Sequence, residues 1–174
     1  VVRSVGEGSA EQDIIEGVAV DVAGGHSEAQ EVAAAASTSL VSNIMTDLNI
    51  DLENLTTNSV RHRISFLKNH MITPQEFRSK HVGSFLEEKI ADIYVEYQKR
   101  LIEFNAMDFD DLLLKPIELF NEKKNILQKY KSRFEFLLVD EFQDTNKAQY
   151  ELLKLLVSRN GLISVVGDDA QSIY

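Results

Sequence analysis

Two short apolar runs, each closing in an acidic loop, constrain this chain more than any other feature. Phe136-Leu137-Leu138-Val139 leads into Asp140-Glu141-Phe142-Gln143-Asp144-Thr145-Asn146. Leu162-Ile163-Ser164-Val165-Val166 leads into Gly167-Asp168-Asp169-Ala170-Gln171-Ser172-Ile173-Tyr174. A wholly apolar run of this length reads as a central parallel strand covered on both faces. Between the runs, Ala148, Leu152, Leu155 and Leu156 mark the buried stripe of a helix. Strand, helix, strand is the start of an α/β unit. In open α/β sheets, ligands bind beyond the carboxyl ends of the strands, where both acidic loops would lie.

Two adjacent carboxylates at such a strand end can do different work. Asp140 can hold Mg²⁺ through its waters, because that ion prefers few carboxylates plus phosphate oxygens. Glu141 can orient and deprotonate the water that attacks a γ-phosphate. Taken alone, the pair is equally a plain polar strand end. In the second loop, Gly167 permits a tight turn. Gln171 offers a neutral amide, suited to sensing a γ-phosphate. Tyr174 offers a flat face for stacking a nucleobase, or a core aromatic.

Upstream the pattern is helical. Glu28 to Ala36 has helical propensity, and Leu40, Ile44, Met45 and Leu48 mark a separate short amphipathic helix. Asn58 to Asn69 is the next, with Val60, Ile64 and Leu67 on one face. Thr73-Pro74-Gln75-Glu76 is a helix start with a capping box. Val82 to Asn105 is a long helix whose stripe runs through Leu86, Ile90, Ile93, Tyr94, Tyr97, Leu101 and Phe104. Met107-Asp108-Phe109-Asp110-Asp111 opens a further helix to about Asn121, and Ile126 to Tyr130 adds a turn or two. Asn146 with Gln149 reads as a capping box, with Asp144 and Thr145 as rival caps. Asp108, Asp110 and Asp111 read as a helix start and its hydrogen bonds rather than a metal cluster. Arg61, His62, Arg63, Lys68 and His70 read equally as phosphate contacts or as a solvated helix face.

Composition narrows the class. The chain has 174 residues, no cysteine and a net charge of −10. Disulfides and thiolate metal sites are excluded, and the four histidines lack zinc-ligand spacing. Acidity argues against a general polyanion binder, though residues 1–38 alone hold seven acidic groups against one Arg. That segment is Gly-, Ala- and Glu-rich, with one short strand suggested at Val18 to Val22. No run is long enough for a membrane span and no signal-peptide pattern opens the chain, so a cytoplasmic location is expected.

Taken together, Asp140 to Asn146 with Gln149, and Val166 to Tyr174, resemble motifs II and III of the UvrD/Rep/PcrA helicases of superfamily 1, which act mainly on DNA. Arg61 to Phe77 looks like the helical insertion of that family's first motor domain, with Ile64-x-x-x-Lys68-Asn69 before a Pro-Glu-Phe-like turn. Phe104 to Leu114 resembles the segment that re-enters the motor core. The resemblance covers residues 39–174. It implies an α/β, partial RecA-like P-loop NTPase motor domain with a parallel sheet and a mainly helical inserted subdomain. The implied division is 1–38 unassigned or foreign, 39–105 helical insertion, and 106–174 part of the motor.

The resemblance also implies roles. Asp140 would hold Mg²⁺ and Glu141 would be the base for ATP hydrolysis. Gln143 would lie near the phosphates and help couple ATP state to DNA. Gln171 would contact the γ-phosphate and Tyr174 would stack on a base of the translocating strand. Asp168 and Asp169 would shape their loop or contact ligand. The partners would be single-stranded and duplex DNA, with 3′→5′ unwinding in repair or replication. The helicase part of a helicase–nuclease, or a non-catalytic remnant or interaction module, are the alternatives. One departure is plain: none of the eight glycines is followed by Lys, so Gly-x-x-x-x-Gly-Lys-Ser/Thr does not occur. The chain therefore reads as a piece of a larger enzyme, inactive by itself.

Overall fold

Apolar residues at steps of three and four build most of the described structure. The computed structural model describes residues 2–3, 28–51, 55–81, 83–134, 136–157, 162–168 and 170. Asp169, Gln171, Tyr174 and the strand expected at Val18 to Val22 lie outside them. The described residues are mostly helical, with a small parallel sheet, and divide into two compact units, Val1–Leu112 and Leu113–Tyr174.

The first unit has three long helices: α1 (Glu28–Asp47), α2 (Thr57–Asn69) and α3 (Phe85–Glu103). The two helices expected on either side of Ser39 are one. No Gly or Pro interrupts Glu28 to Asp47, so an Ala-rich start propagates through the compositional break. Helix α1 ends where Asn49 turns left-handed at φ 51°. The Ile50 N–H then donates to the Met45 carbonyl and that of Asn49 to the Thr46 carbonyl, a Schellman closure. Met71 closes α2 the same way at φ 58°. A non-glycine residue at that position costs about 1 kcal/mol, offset here by seating Ile72 against the core.

Thr73 and Glu76 form the expected capping box over one helical turn, Pro74–Glu76, which widens into a π turn at Phe77–His81. The core between the helices holds Val41, Ile44, Val60, Ile64, Leu67, Phe77, Ile93, Tyr94 and Leu101, all under 4% exposed. Two expected stripe members fall outside it. Leu48 lies beyond the end of α1 and Phe104 caps the end of α3, and both are exposed. A short antiparallel pair, β1 (Val2–Arg3) with β2 (Ala106–Met107), was not anticipated. Helix α4 (Asp111–Glu122) follows, and the division between the units falls within it.

The second unit continues with α5 (Lys124–Arg133), β3 (Phe136–Val139), a 3₁₀ turn (Phe142–Asp144), α6 (Lys147–Leu156) and β4 (Leu162–Val165). Helices α5 and α6 pack together, and Leu127, Ala148 and Leu152 are buried. Strands β3 and β4 are parallel and in register, Phe136 opposite Leu162 and Val139 opposite Val165. The expected covering of both faces is not met by the described residues. Leu138 is 65% exposed and Leu162 68%. Among the described residues, Leu137 and Val139 are partly buried while the face of β3 carrying Leu138 stays open to water. Among the described residues no helix is long and apolar enough to cross a membrane.

Candidate nucleotide site at the sheet end

The two acidic loops are laced together by backbone. The Val166 N–H donates to the Val139 carbonyl at 2.7 Å, and the Phe142 N–H donates to the Val166 carbonyl at 2.9 Å. The parallel pairing thus continues one step past each strand. Asp140 and Glu141 emerge exposed at the carboxyl end of β3.

Glu141 sits in the left-handed region, φ 50° and ψ 42°. A β-carbon there costs about 1–2 kcal/mol, and such strain concentrates at functional positions. The bend turns the chain from the strand into the 3₁₀ turn, and the Glu141 N–H donates to Asp140 Oδ1 at 2.9 Å. Asp140 thereby keeps one carboxylate oxygen on the local backbone. A lone strand-end carboxylate fits Mg²⁺, which retains waters and phosphate oxygens rather than needing a full protein cage.

Gln143 joins the two loops. Its Nε2 donates to Glu141 Oε2, and its Oε1 accepts from the Asp168 N–H at 3.0 Å. One side-chain amide therefore orients the carboxylate of the first loop while holding the backbone of the second. This explains Gly167 differently from its sequence reading. Gly167 does not adopt a positive φ; a β-carbon there would lie 2.7 Å from Gln143 Oε1. The glycine is needed for close approach, not for a special turn. Asp168 shapes its loop: its Oδ1 accepts from the Ala170 N–H at 3.0 Å. Asn146 wins over its rivals as cap of α6, accepting from the Gln149 N–H at 2.9 Å while Gln149 Oε1 accepts from the Asn146 N–H.

The second acidic cluster is structural. Lys68 Nζ lies 2.7 Å from Asp108 Oδ2 and 2.9 Å from Asp111 Oδ1, with all three residues buried. Asp108 Oδ1 accepts from the Asp111 N–H at 2.9 Å, and Asp111 Oδ2 from the Asp108 N–H at 3.3 Å. The Tyr97 hydroxyl donates to Asp108 at 3.0 Å. All four carboxylate oxygens are engaged, so the helix-start reading holds and Lys68 fills the place a cation would take. Burial alone would raise the Asp108 carboxyl. The Lys68 charge and the donors around Asp108 outweigh that and hold its pKa below the usual range. Burial tends to lower Lys68, yet its two carboxylate partners raise it. Asp111 is raised, by burial first and then by the Asp108 charge. Asp110 stands beside them, accepting from Ser65 and Asn69, both at 3.1 Å. Burial and the Asp108 charge push it up to about 6.

Lys68 is therefore neither a phosphate contact nor a solvated cation. The signal was in the spacing: it lies four residues after Ile64, on the apolar face of α2.

Comparison with known proteins now bears on these loops. The family model described as the UvrD/REP helicase N-terminal domain matches residues 11–174. The chain belongs to this family. The UvrD/REP match extends upstream of Ser39, into the segment whose composition looked foreign. Similar relatives include the ATP-dependent DNA helicase PcrA of Bacillus subtilis (strain 168), 40% identical over 136 residues, or 78% of this chain and 18% of that protein. The protein of the same name from Leuconostoc citreum is 38% identical over 139 residues, 80% of this chain and 18% of its own length. That of Staphylococcus aureus (strain Mu50 / ATCC 700699) is 39% identical over 136 residues, with 78% and 18% covered. The chain thus spans about a fifth of the length of the relatives it matches.

Proposed function

We propose that the chain is part of an ATP-dependent DNA helicase that couples ATP hydrolysis to movement on single-stranded DNA and to duplex unwinding. The direction is 3′→5′ and the setting is DNA repair or replication in the cytoplasm. On this reading residues 106–174 belong to a RecA-like motor domain and residues 39–105 to its helical insertion. The open faces of β3 and β4 are then covered by the rest of that motor's sheet layers.

The observation that carries the reading is the bridge from Glu141 through Gln143 to the Asp168 backbone. Glu141 orients and deprotonates the attacking water. Asp140 would hold Mg²⁺, which would supply charge neutralisation on the phosphates of ATP. Gln143 keeps the Glu141 carboxylate aimed and transmits a change at the phosphates to the second loop. Gln171 contacts the γ-phosphate, and Tyr174 stacks on a base of the translocating strand.

The test is phosphate release by the full-length protein with single-stranded DNA. Glu141→Gln is expected to lower turnover at least about 100-fold while nucleotide binding persists. Unchanged turnover would remove Glu141 from the chemistry and the helicase reading with it. The 174-residue chain has no Gly-x-x-x-x-Gly-Lys. By itself it is expected to release no phosphate from ATP, because electrostatic stabilisation of phosphoryl transfer is lacking.

A further inference from the structure

One face of α2 is unlike the rest of this acidic chain. The helix carries Arg61, His62, Arg63 and Lys68 and no acidic residue, in a chain of net charge −10. His62, Phe66 and His70 recur at steps of four, so they share one side of α2, and all three are exposed. Phe66 is 48% exposed. The His70 ring stacks against it with centroids 4.0 Å apart, and the Arg63 guanidinium carbon is 5.3 Å from the Phe66 centroid.

The cations of the helix differ in what is left of their charge. Lys68 is spent on Asp108 and Asp111. Arg63 is paired with Glu87 at 2.9 Å. Arg61 has no ion pair among the described residues; its Nε is buried without a hydrogen-bond partner, and the residue as a whole is partly exposed. Its terminal nitrogen is 3.4 Å from His62 Nε2. Flat rings in line, with an unspent guanidinium beside them, match a ligand that is itself flat and anionic. Sequence-tolerant binding of single strands uses this combination of stacking faces and cations. A purely apolar partner would use Phe66 but leave Arg61 without a counter-charge.

We propose that the His62–Phe66–His70 stripe of α2 is a stacking surface for unpaired nucleotides, with Arg61 meeting a phosphate. The choice of nucleic acid as ligand rests on the helicase reading, but the residues are separate from the loops that carry the ATP chemistry.

The chain contains no tryptophan, so Phe66→Trp introduces a single indole at the surface in question. An oligothymidylate is titrated into this variant of the 174-residue chain, with circular dichroism confirming the helical content. Indole fluorescence is expected to be quenched saturably. Arg61→Ala in the same background should weaken binding about threefold or more and reduce the salt slope by about one phosphate contact. Phe66→Ala should weaken anisotropy-detected binding about fivefold or more. No quenching, whether the oligonucleotide binds elsewhere or not at all, overturns the proposal and leaves the stripe to a protein partner. The readout needs neither ATP nor Glu141, so its failure is distinct from failure of the ATPase test on Glu141→Gln.

Discussion

The side-chain oxygen of Gln143 lies 2.7 Å from the point where a β-carbon on Gly167 would stand. The two loops of the candidate site are therefore packed to contact through one amide. Gly167→Ala must swing the flexible end of the Gln143 side chain aside, the next contacts lying at 3.5 Å or more, so the cost is the loss of exposed hydrogen bonds, about 0.5–1.5 kcal/mol. The displacement releases the Glu141 carboxylate from its orienting partner. Urea denaturation should show the loss in the 174-residue chain. In the full-length protein, DNA-stimulated phosphate release should fall, while Gly167→Ala combined with Gln143→Ala should lose little further stability and regain no activity.

Glu141 trades stability for position. Its left-handed backbone at φ 50° suits glycine better than glutamate. Glu141→Gly is expected to raise stability by about 0.5–1 kcal/mol and to abolish turnover in the full-length protein. A loss of stability measured in denaturant would show that the carboxylate's hydrogen bond to Gln143 outweighs the backbone strain.

Lys68 should be among the least replaceable charges in the chain. Lys68→Met leaves Asp108 and Asp111 buried without their cation, at about 3–5 kcal/mol. Stability of the parent chain has a defined pH window. The Asp108 contribution is present above its unfolded value and is lost as pH falls through its depressed folded value. The Lys68 contribution is present below its unfolded value and is lost only as pH rises through its raised folded value. These two contributions should be flat between the carboxylate and lysine ranges, while the raised Asp110 and Asp111 lower the denaturation midpoint as pH rises through their titration. In Lys68→Met the midpoint should rise more steeply on acidification, because protonation relieves the unpaired carboxylates.

Asp110 works in the opposite sense. Its folded value of about 6 lies above the ordinary aspartate value of 3.8. A raised carboxylate penalises the folded state fully above the folded value and not at all below the unfolded one. Asp110→Asn keeps an acceptor for Ser65 and Asn69 and removes the charge. It is expected to gain about 1–2 kcal/mol at neutral pH, the shift being discounted because the side chain is only half-buried. The gain should vanish below pH ~4. An equal gain at both pH values would mean that charge is not its cause.

The cap of α6 gives a local control. Asn146→Ala removes the acceptor for the Gln149 N–H and should cost about 1 kcal/mol. Asp144→Ala, at the rival position, should cost much less by the same denaturation assay.

What the sequence determined by itself was local. The two apolar runs became β3 and β4 in parallel register, and Thr73 and Asn146 became the capping residues their spacing announced. These features depend on periodicity and on bonds spanning three or four residues, which a chain carries in its order. Tertiary structure decided the rest. It buried Lys68 between Asp108 and Asp111, forty residues and more along the chain. It also set Gln143 against Gly167 across the two loops. Spacing puts Lys68 on the apolar face of α2 but does not name its partners, because a buried charge is tolerable only beside a counter-charge that folding brings to it. A glycine chosen for close approach looks the same, in sequence, as one chosen for its turn.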